Sequence, residues 1–249
     1  MEALIVANWK MNPATGKEAA KLFAATKDAV QTAKRVQVVV APPAIFLREV
    51  AGGYRGTRIS FAGQDAHFEQ GGAHTGDTSF AQLKDAGASW VILGHAERRA
   101  EGQTNTAVGQ RVASALAARF TPVLCVGERE RHPNGDHFTF VREQLAAAFA
   151  DVPAAKVSKV VIAYEPVWAI GAPQAMEARQ MHEMAIFIRK TLADMYGKPS
   201  AGPILYGGAI DAQNAGSMLR DGDVAGLLVG RVSIDAESFK ELVRAVSLA

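Results

Sequence analysis

Cysteine is almost absent: Cys125 is the only one in 249 residues. One thiol excludes an internal disulfide framework and fits a reducing compartment. No apolar run approaches the roughly 18 residues of a membrane span. The start, MEALIVANWK, lacks the basic opening and long apolar core of a secretory signal. Neither sign of charge dominates, since 27 Lys and Arg face 25 Asp and Glu and leave a formal charge of +2. The basic residues are scattered among acids without an arm or patch, which argues against nucleic acid as the main partner. No linker, low-complexity tract or charge block divides the chain. Also missing is a G-x-G-x-x-G after the first apolar run, the dinucleotide fingerprint of an open α/β sheet. These absences leave the expectation of a soluble, cytoplasmic protein, whose 49% apolar residues suffice for a sizeable core.

What the chain does have is a repeating unit. Short apolar runs are each followed by a polar or glycine-bearing turn and then by a stretch with helical periodicity. The candidate strands are 4–8, 36–41, 58–63, 90–94, 122–127, 160–164, 203–207 and 226–230. Between them lie helical stretches such as 17–31, 105–120, 138–150 and 177–196. The run VVIAY (160–164) carries no polar face, as expected of a parallel strand covered on both sides. Eight such βα units, with no break in composition, predict one domain over 1–249: a closed (β/α)8 barrel, for which about 250 residues is the usual size. A doubly wound open sheet is the competing pattern.

The segment KVVIAYEPVWAIG, residues 159–171, is the most informative. An apolar strand stops at Glu165-Pro166, so a carboxylate with little hydration stands where the chain turns, a setting that suits a general base. AIGAPQA, a small-residue loop able to close as a lid over 166–176, follows. In a barrel of this kind functional groups gather at the carboxyl ends of the strands. The first strand ends in Asn8-Trp9-Lys10, the fourth in Gly94-His95-Ala96-Glu97, the seventh in Tyr206-Gly207-Gly208-Ala209 and the eighth in Gly230-Arg231. Taken singly, each has an ordinary explanation: a solvated lysine, a structural histidine, a glutamate paired with Arg98 or Arg99, glycines that merely turn the chain. Their collection at one end of successive strands is what those explanations leave out.

The motifs ANWKMN, ILGHAERR, AYEPVWAIG, LYGG and GLLVG resemble, in order and spacing, the triosephosphate isomerase family, as do GQDAHFEQGGAHTGD (63–77) and LCVGE (124–128). The similarity runs from end to end. It implies interconversion of dihydroxyacetone phosphate and glyceraldehyde 3-phosphate with neither cofactor nor metal. The glutamate base, neutral histidine and closing loop are that family's well-known scheme, not inferences from this chain. Carried over, the scheme makes Glu165 the base, His95 and Asn8 hydrogen-bond donors to the developing oxyanion, and Lys10 a fixed positive charge. Glu97 adjusts Lys10 and His95. Backbone N–H groups at Gly171, Ala209, Gly230 and Arg231 hold the phosphate, with Asn8 and Lys10 also touching substrate. The resemblance also implies a homodimer, with loop 64–78 and its Thr75 entering a second subunit. Cys125 is read as packing.

Four positions depart from the family pattern. Ala96 and Ala209 stand where serine is usual, Gly171-Ala172-Pro173 replaces Gly-Thr-Gly in the lid, and Arg231 replaces a glycine. In the family the serine at the seventh turn accepts a bond from the second lid glycine's N–H. Pro173 has no N–H and Ala209 no hydroxyl, so donor and acceptor are lost together and neither is stranded. Closure is then expected to rest on Gly171 N–H to phosphate and on Tyr206 gripping the far hinge. Arg231 opens an alternative, a barrel isomerase acting on a four-carbon ketose phosphate. A silent barrel kept for binding is a further one, which predicts loss of at least one of Asn8, Lys10, His95 or Glu165; all four are present.

Overall fold

Parity along the strands explains where the site stands. In the structure, a computed structural model describing residues 2–171, 175–197 and 201–249, eight parallel strands close on themselves in sequence order. They are β1 (Ala3–Asn8), β2 (Val36–Ala41), β3 (Ile59–Gly63), β4 (Trp90–Leu93), β5 (Thr121–Val126), β6 (Val161–Tyr164), β7 (Ile204–Tyr206) and β8 (Gly226–Val229). The register of β1 closes the ring, with Ile5 opposite Val38 of β2 on one side and Leu227 of β8 on the other. The closed barrel, not the open sheet, is the observed architecture.

Successive side chains on a strand point to opposite faces. Leu4, Val6, Val39, Ile92, Val123, Cys125, Val161, Ala163, Leu205 and Leu228 form one cluster inside the barrel. Their neighbours Ile5, Ala7, Val38, Leu93, Ile162, Tyr164 and Leu227 belong to a larger cluster against the helices. Each fully buried aliphatic side chain contributes roughly 1.5–3 kcal/mol, so a one-residue slip that exchanged the faces would be opposed many times over. Extended upward, the interior parity runs from Val6 to Asn8, from Ala163 to Glu165, from Leu205 to Gly207 and from Leu228 to Gly230. Four strand ends thus aim at the same space.

The helices are α1 (Gly16–Thr32), α2 (Ala44–Gly52), α3 (Phe80–Asp85), α4 (Ala96–Ala100), α5 (Asn105–Ala117), α6 (Asp136–Phe149), α7 (Ala178–Tyr196), α8 (Ala215–Arg220) and α9 (Ala236–Leu248). Helix α1 starts on a capping box, in which Thr15 accepts from Glu18 N–H and the Glu18 carboxylate accepts from Thr15 N–H. The stretch expected to be helical to 120 stops at Ala117, because Arg119 takes a left-handed φ of 64° and turns the chain into β5. Five strands start one residue from their expected positions: β1 at Ala3 for 4, β3 at Ile59 for 58, β5 at Thr121 for 122, β6 at Val161 for 160 and β7 at Ile204 for 203. Among the described residues no helix is long and apolar enough to cross a membrane.

Candidate active site

A cavity of about 440 Å³ opens at the carboxyl ends of the strands. Asn8, Lys10, His95, Glu165, Gly171, Ala209, Gly230 and Arg231 all line it. Of the residues given a catalytic or substrate-binding role from the sequence, only Glu97 is absent from the lining. It stands behind Lys10, its Oε1 2.5 Å from Nζ. Burial alone would raise the Glu97 carboxyl, but the hydrogen bond and charge of Lys10 outweigh it and hold it below the usual range. Glu97 therefore pairs with neither Arg98 nor Arg99. Arg98 faces Glu101 and Asp65, and Arg99 binds backbone.

Lys10 reaches the cavity through an unusual backbone. Its φ is 53°, the left-handed region that L-residues avoid at a cost of about 1–2 kcal/mol. Three bonds hold that turn. Lys10 N–H donates to Asn8 Oδ1 at 3.0 Å, and Gln64 Nε2 donates to Lys10 O at 2.8 Å and to Ala41 O at 2.9 Å. With Oδ1 committed, the donor end of the Asn8 amide is the one available to a ligand.

His95 caps α4. Its Nδ1 accepts the Glu97 N–H at 3.2 Å, so the ring proton sits on Nε2. Nε2 lies 3.2 Å from Glu165 Oε1. Glu165 is 3% exposed and His95 6%, so this contact is shielded from water. The other Glu165 oxygen accepts the Ala96 N–H at 3.3 Å. With alanine at 96, the backbone is the only tether this residue offers. Glycine at 207 is a steric requirement: a Cβ there would lie 2.7 Å from Glu165 Cγ. Beneath the base, Arg99 ties β4 to β5 through Gly94 O (2.7 Å) and Cys125 O (3.2 Å). Burial, with the Glu165 carboxylate adding to it, pushes the Cys125 thiol well up, which keeps it protonated and agrees with a packing role.

The two ends of the lid segment are fastened differently. At the near end Glu128, 1% exposed, accepts from Tyr164 Oη with both carboxylate oxygens at 2.8 Å and from Trp168 Nε1 at 2.9 Å. Its carbonyl accepts from Val167 N–H at 2.9 Å. Burial, then the Glu128 charge, drives the Tyr164 phenol far above its ordinary range, so it stays a donor. At the far end Met176 N–H donates to Tyr206 Oη at 3.1 Å, the grip expected from the sequence. Burial pushes the Tyr206 phenol up to about 12, the Met176 N–H slightly opposing it. Ala172 and Pro173 lie outside the described residues. Gly171 lies within them, with φ 71°, and its carbonyl accepts from Arg231 Nη2 at 3.2 Å.

Sequence reasoning missed Glu128, Arg99 and Gln64. Glu128 closes the LCVGE motif and Gln64 opens the loop after β3, but neither stands out by residue type.

A buried carboxylate against an imidazole at the top of a (β/α)8 barrel defines the class of barrel enzymes that work by acid–base chemistry. The comparisons narrow the class. A family model described as Triosephosphate isomerase matches residues 3–246. The Triosephosphate isomerase of Endomicrobium trichonymphae is 40% identical over 97% of both chains, and that of Trichlorobacter lovleyi 39% identical over 97% of both. That of Lactiplantibacillus plantarum is 38% identical over 96% of both. The chain belongs to the triosephosphate isomerase family.

Proposed function

We propose that this chain is an isomerase of triose phosphates, converting dihydroxyacetone phosphate and glyceraldehyde 3-phosphate into each other in glycolysis and gluconeogenesis. The observation that carries this reading is the Glu165–His95 contact at 3.2 Å inside the cavity, with the histidine proton on the nitrogen facing it. A carbonyl oxygen entering between the two takes over the His95 Nε2–H. Glu165 then removes a proton from the carbon beside the carbonyl, and the C–H electron pair forms the carbon–carbon double bond of an enediolate. The carboxylic acid so formed returns the proton to the former carbonyl carbon, while the hydroxyl proton of the adjoining carbon passes by way of His95 Nε2 to the former carbonyl oxygen, so that the carbonyl changes place. Negative charge develops on oxygen during both steps, and preorganised donors and cations stabilise it without reorganising. His95 Nε2–H, the Asn8 amide and the Lys10 ammonium serve as these groups. Glu97 holds Lys10 in place, and its bond to His95 keeps the ring in the useful tautomer.

Backbone N–H groups receive the phosphate at Gly171, Ala209, Gly230 and Arg231. The first N–H groups of a helical turn have no partner within it, and the short turn Arg231–Ile234 begins beside the cavity. The chain works as a homodimer in the cytoplasm, loop 64–78 entering a second copy. Two observations support the dimer. The loop is held in shape by its own contacts, His67 stacked on His74 with ring centres 3.8 Å apart, while Thr75 is exposed. Apolar Met11 and Ile45, near the ends of β1 and β2, are 93% and 82% exposed, a surface a partner would cover.

Turnover of glyceraldehyde 3-phosphate by the purified protein, measured beside Glu165→Gln and tetrulose phosphates, tests the reading. A loss of about 10²–10⁴-fold in kcat is expected in the variant, the range for a general base. Faster turnover of the four-carbon substrates would move the assignment to that alternative, and no turnover of either would leave a silent barrel. Sedimentation of the same preparation at the mass of one chain would remove the dimer.

A further inference from the structure

Two side-chain cations, Lys10 and Arg231, line the cavity, and they differ in how their charge is balanced. Lys10 is neutralised by Glu97 at 2.5 Å. Arg231 is exposed, takes part in no ion pair among the described residues, and makes its hydrogen bond to a neutral group, the Gly171 carbonyl. The other acids of the cavity wall do not answer it. Glu165 faces His95, and Asp211 Oδ1 accepts the N–H groups of Gln213 and Asn214 at 2.8 and 2.9 Å. A guanidinium has five N–H donors in a fixed fork. With Nη2 on Gly171, the Nε and Nη1 donors and the full positive charge remain for something else at the mouth of the cavity.

We infer that the Arg231 guanidinium is a phosphate-binding group of this site, parked on the Gly171 carbonyl until the anion arrives. The inference rests on the triose phosphate reading and adds to it a side-chain cation where the backbone alone was expected to serve. A phosphate dianion meets the forked donors with charge-assisted, bidentate geometry, which a carbonyl cannot match. Exchange of the neutral acceptor for the charged one is therefore downhill. Anion binding also frees the Gly171 carbonyl that the guanidinium holds. One side chain thus links phosphate recognition to Gly171, from a turn where the family usually carries a glycine and no side chain.

The test uses the full chain, Arg231→Met, which keeps the length of the stem, and Arg231→Lys, which keeps the charge but not the fork. Inorganic phosphate is titrated calorimetrically and as a competitive inhibitor. Met is expected to weaken phosphate about 10-fold or more, the range of one charge-assisted hydrogen bond. KM rises by a similar factor and kcat falls less, by about threefold at most, since an interaction made equally before and during the reaction acts on binding. Lys recovers part of the affinity. The dependence of KM on salt becomes shallower in Met. An unchanged phosphate affinity in a Met variant with unaltered circular dichroism overturns the inference, as does a loss confined to kcat. If the parent chain binds phosphate, loses it in Met and yet turns over no triose phosphate, this inference stands while the isomerase reading falls.

Discussion

The two halves of the cavity are built on different principles. The half proposed for proton transfer is made of side chains each held by a named partner, Glu165 and His95 buried and Lys10 partly exposed: Glu165 by His95 and Ala96 N–H, His95 by Glu97 N–H, Lys10 by Glu97. The half proposed for phosphate is lined by Gly171, Gly208, Ala209 and Gly230, with one exposed arginine bonded to the Gly171 carbonyl. The hinges follow the same division. The near end is fastened to the buried Glu128 carboxylate by three side-chain contacts, whereas among the described residues the far end is held by one side-chain bond, from Met176 N–H to Tyr206. Proton transfer needs atoms placed to a fraction of an ångström, and that placement calls for over-determined side chains. A phosphate is a large symmetric anion that several N–H groups can hold at once, so its half can tolerate looser construction.

The largest effect expected from breaking this contrast comes from Gly207→Ala. The added methyl would sit 2.7 Å from Glu165 Cγ and displace the base while touching no partner of the phosphate. A loss of about 10²-fold in kcat is expected from such a misplacement, with phosphate inhibition retained. Steady-state kinetics with phosphate as competitor would read both. A parallel loss of phosphate affinity would show that the halves are not separable.

A smaller effect separates the hinges. Glu128→Gln turns an amide N–H toward the Tyr164 and Trp168 donors and leaves buried donors unpaired, a cost of about 1–3 kcal/mol by chemical denaturation. Tyr206→Phe removes one ordinary bond, about 0.5–1.5 kcal/mol. The two also differ in pH response. The folded Tyr206 phenol is raised above its unfolded value, so its contribution is complete below about pH 10 and is lost as pH rises through about 12. Denaturation across that range should show a decline in the parent chain that is reduced in Tyr206→Phe. Equal costs for the two variants would dissolve the asymmetry of the hinges.

The same division governs what could be read from the sequence. Fold and base half were legible because period-two burial and residue type both carry information. VVIAY has to be a doubly covered strand, and a carboxylate ending it stands out. Glu128 was hidden, since in GERERH a glutamate next to Arg129 looks like solvated surface; only the packing of Tyr164 and Trp168 around it shows otherwise. Gly207 was seen as a turn residue, while its function as clearance for Glu165 depends on a neighbour 42 positions away in the chain. The bond from Arg231 to Gly171 spans 60 positions and joins a loop to a turn. Local pattern does not encode such a meeting.

Lys10 deserves a last consequence. Its left-handed backbone is a conformation that glycine enters freely and lysine resists. At this one position, then, the pressure to fold and the pressure to react oppose each other. Glycine at this position would relieve the backbone and at the same time remove the ammonium that Glu97 holds at the cavity. A lysine kept at φ 53° is, in that sense, a record of work the chain is required to do.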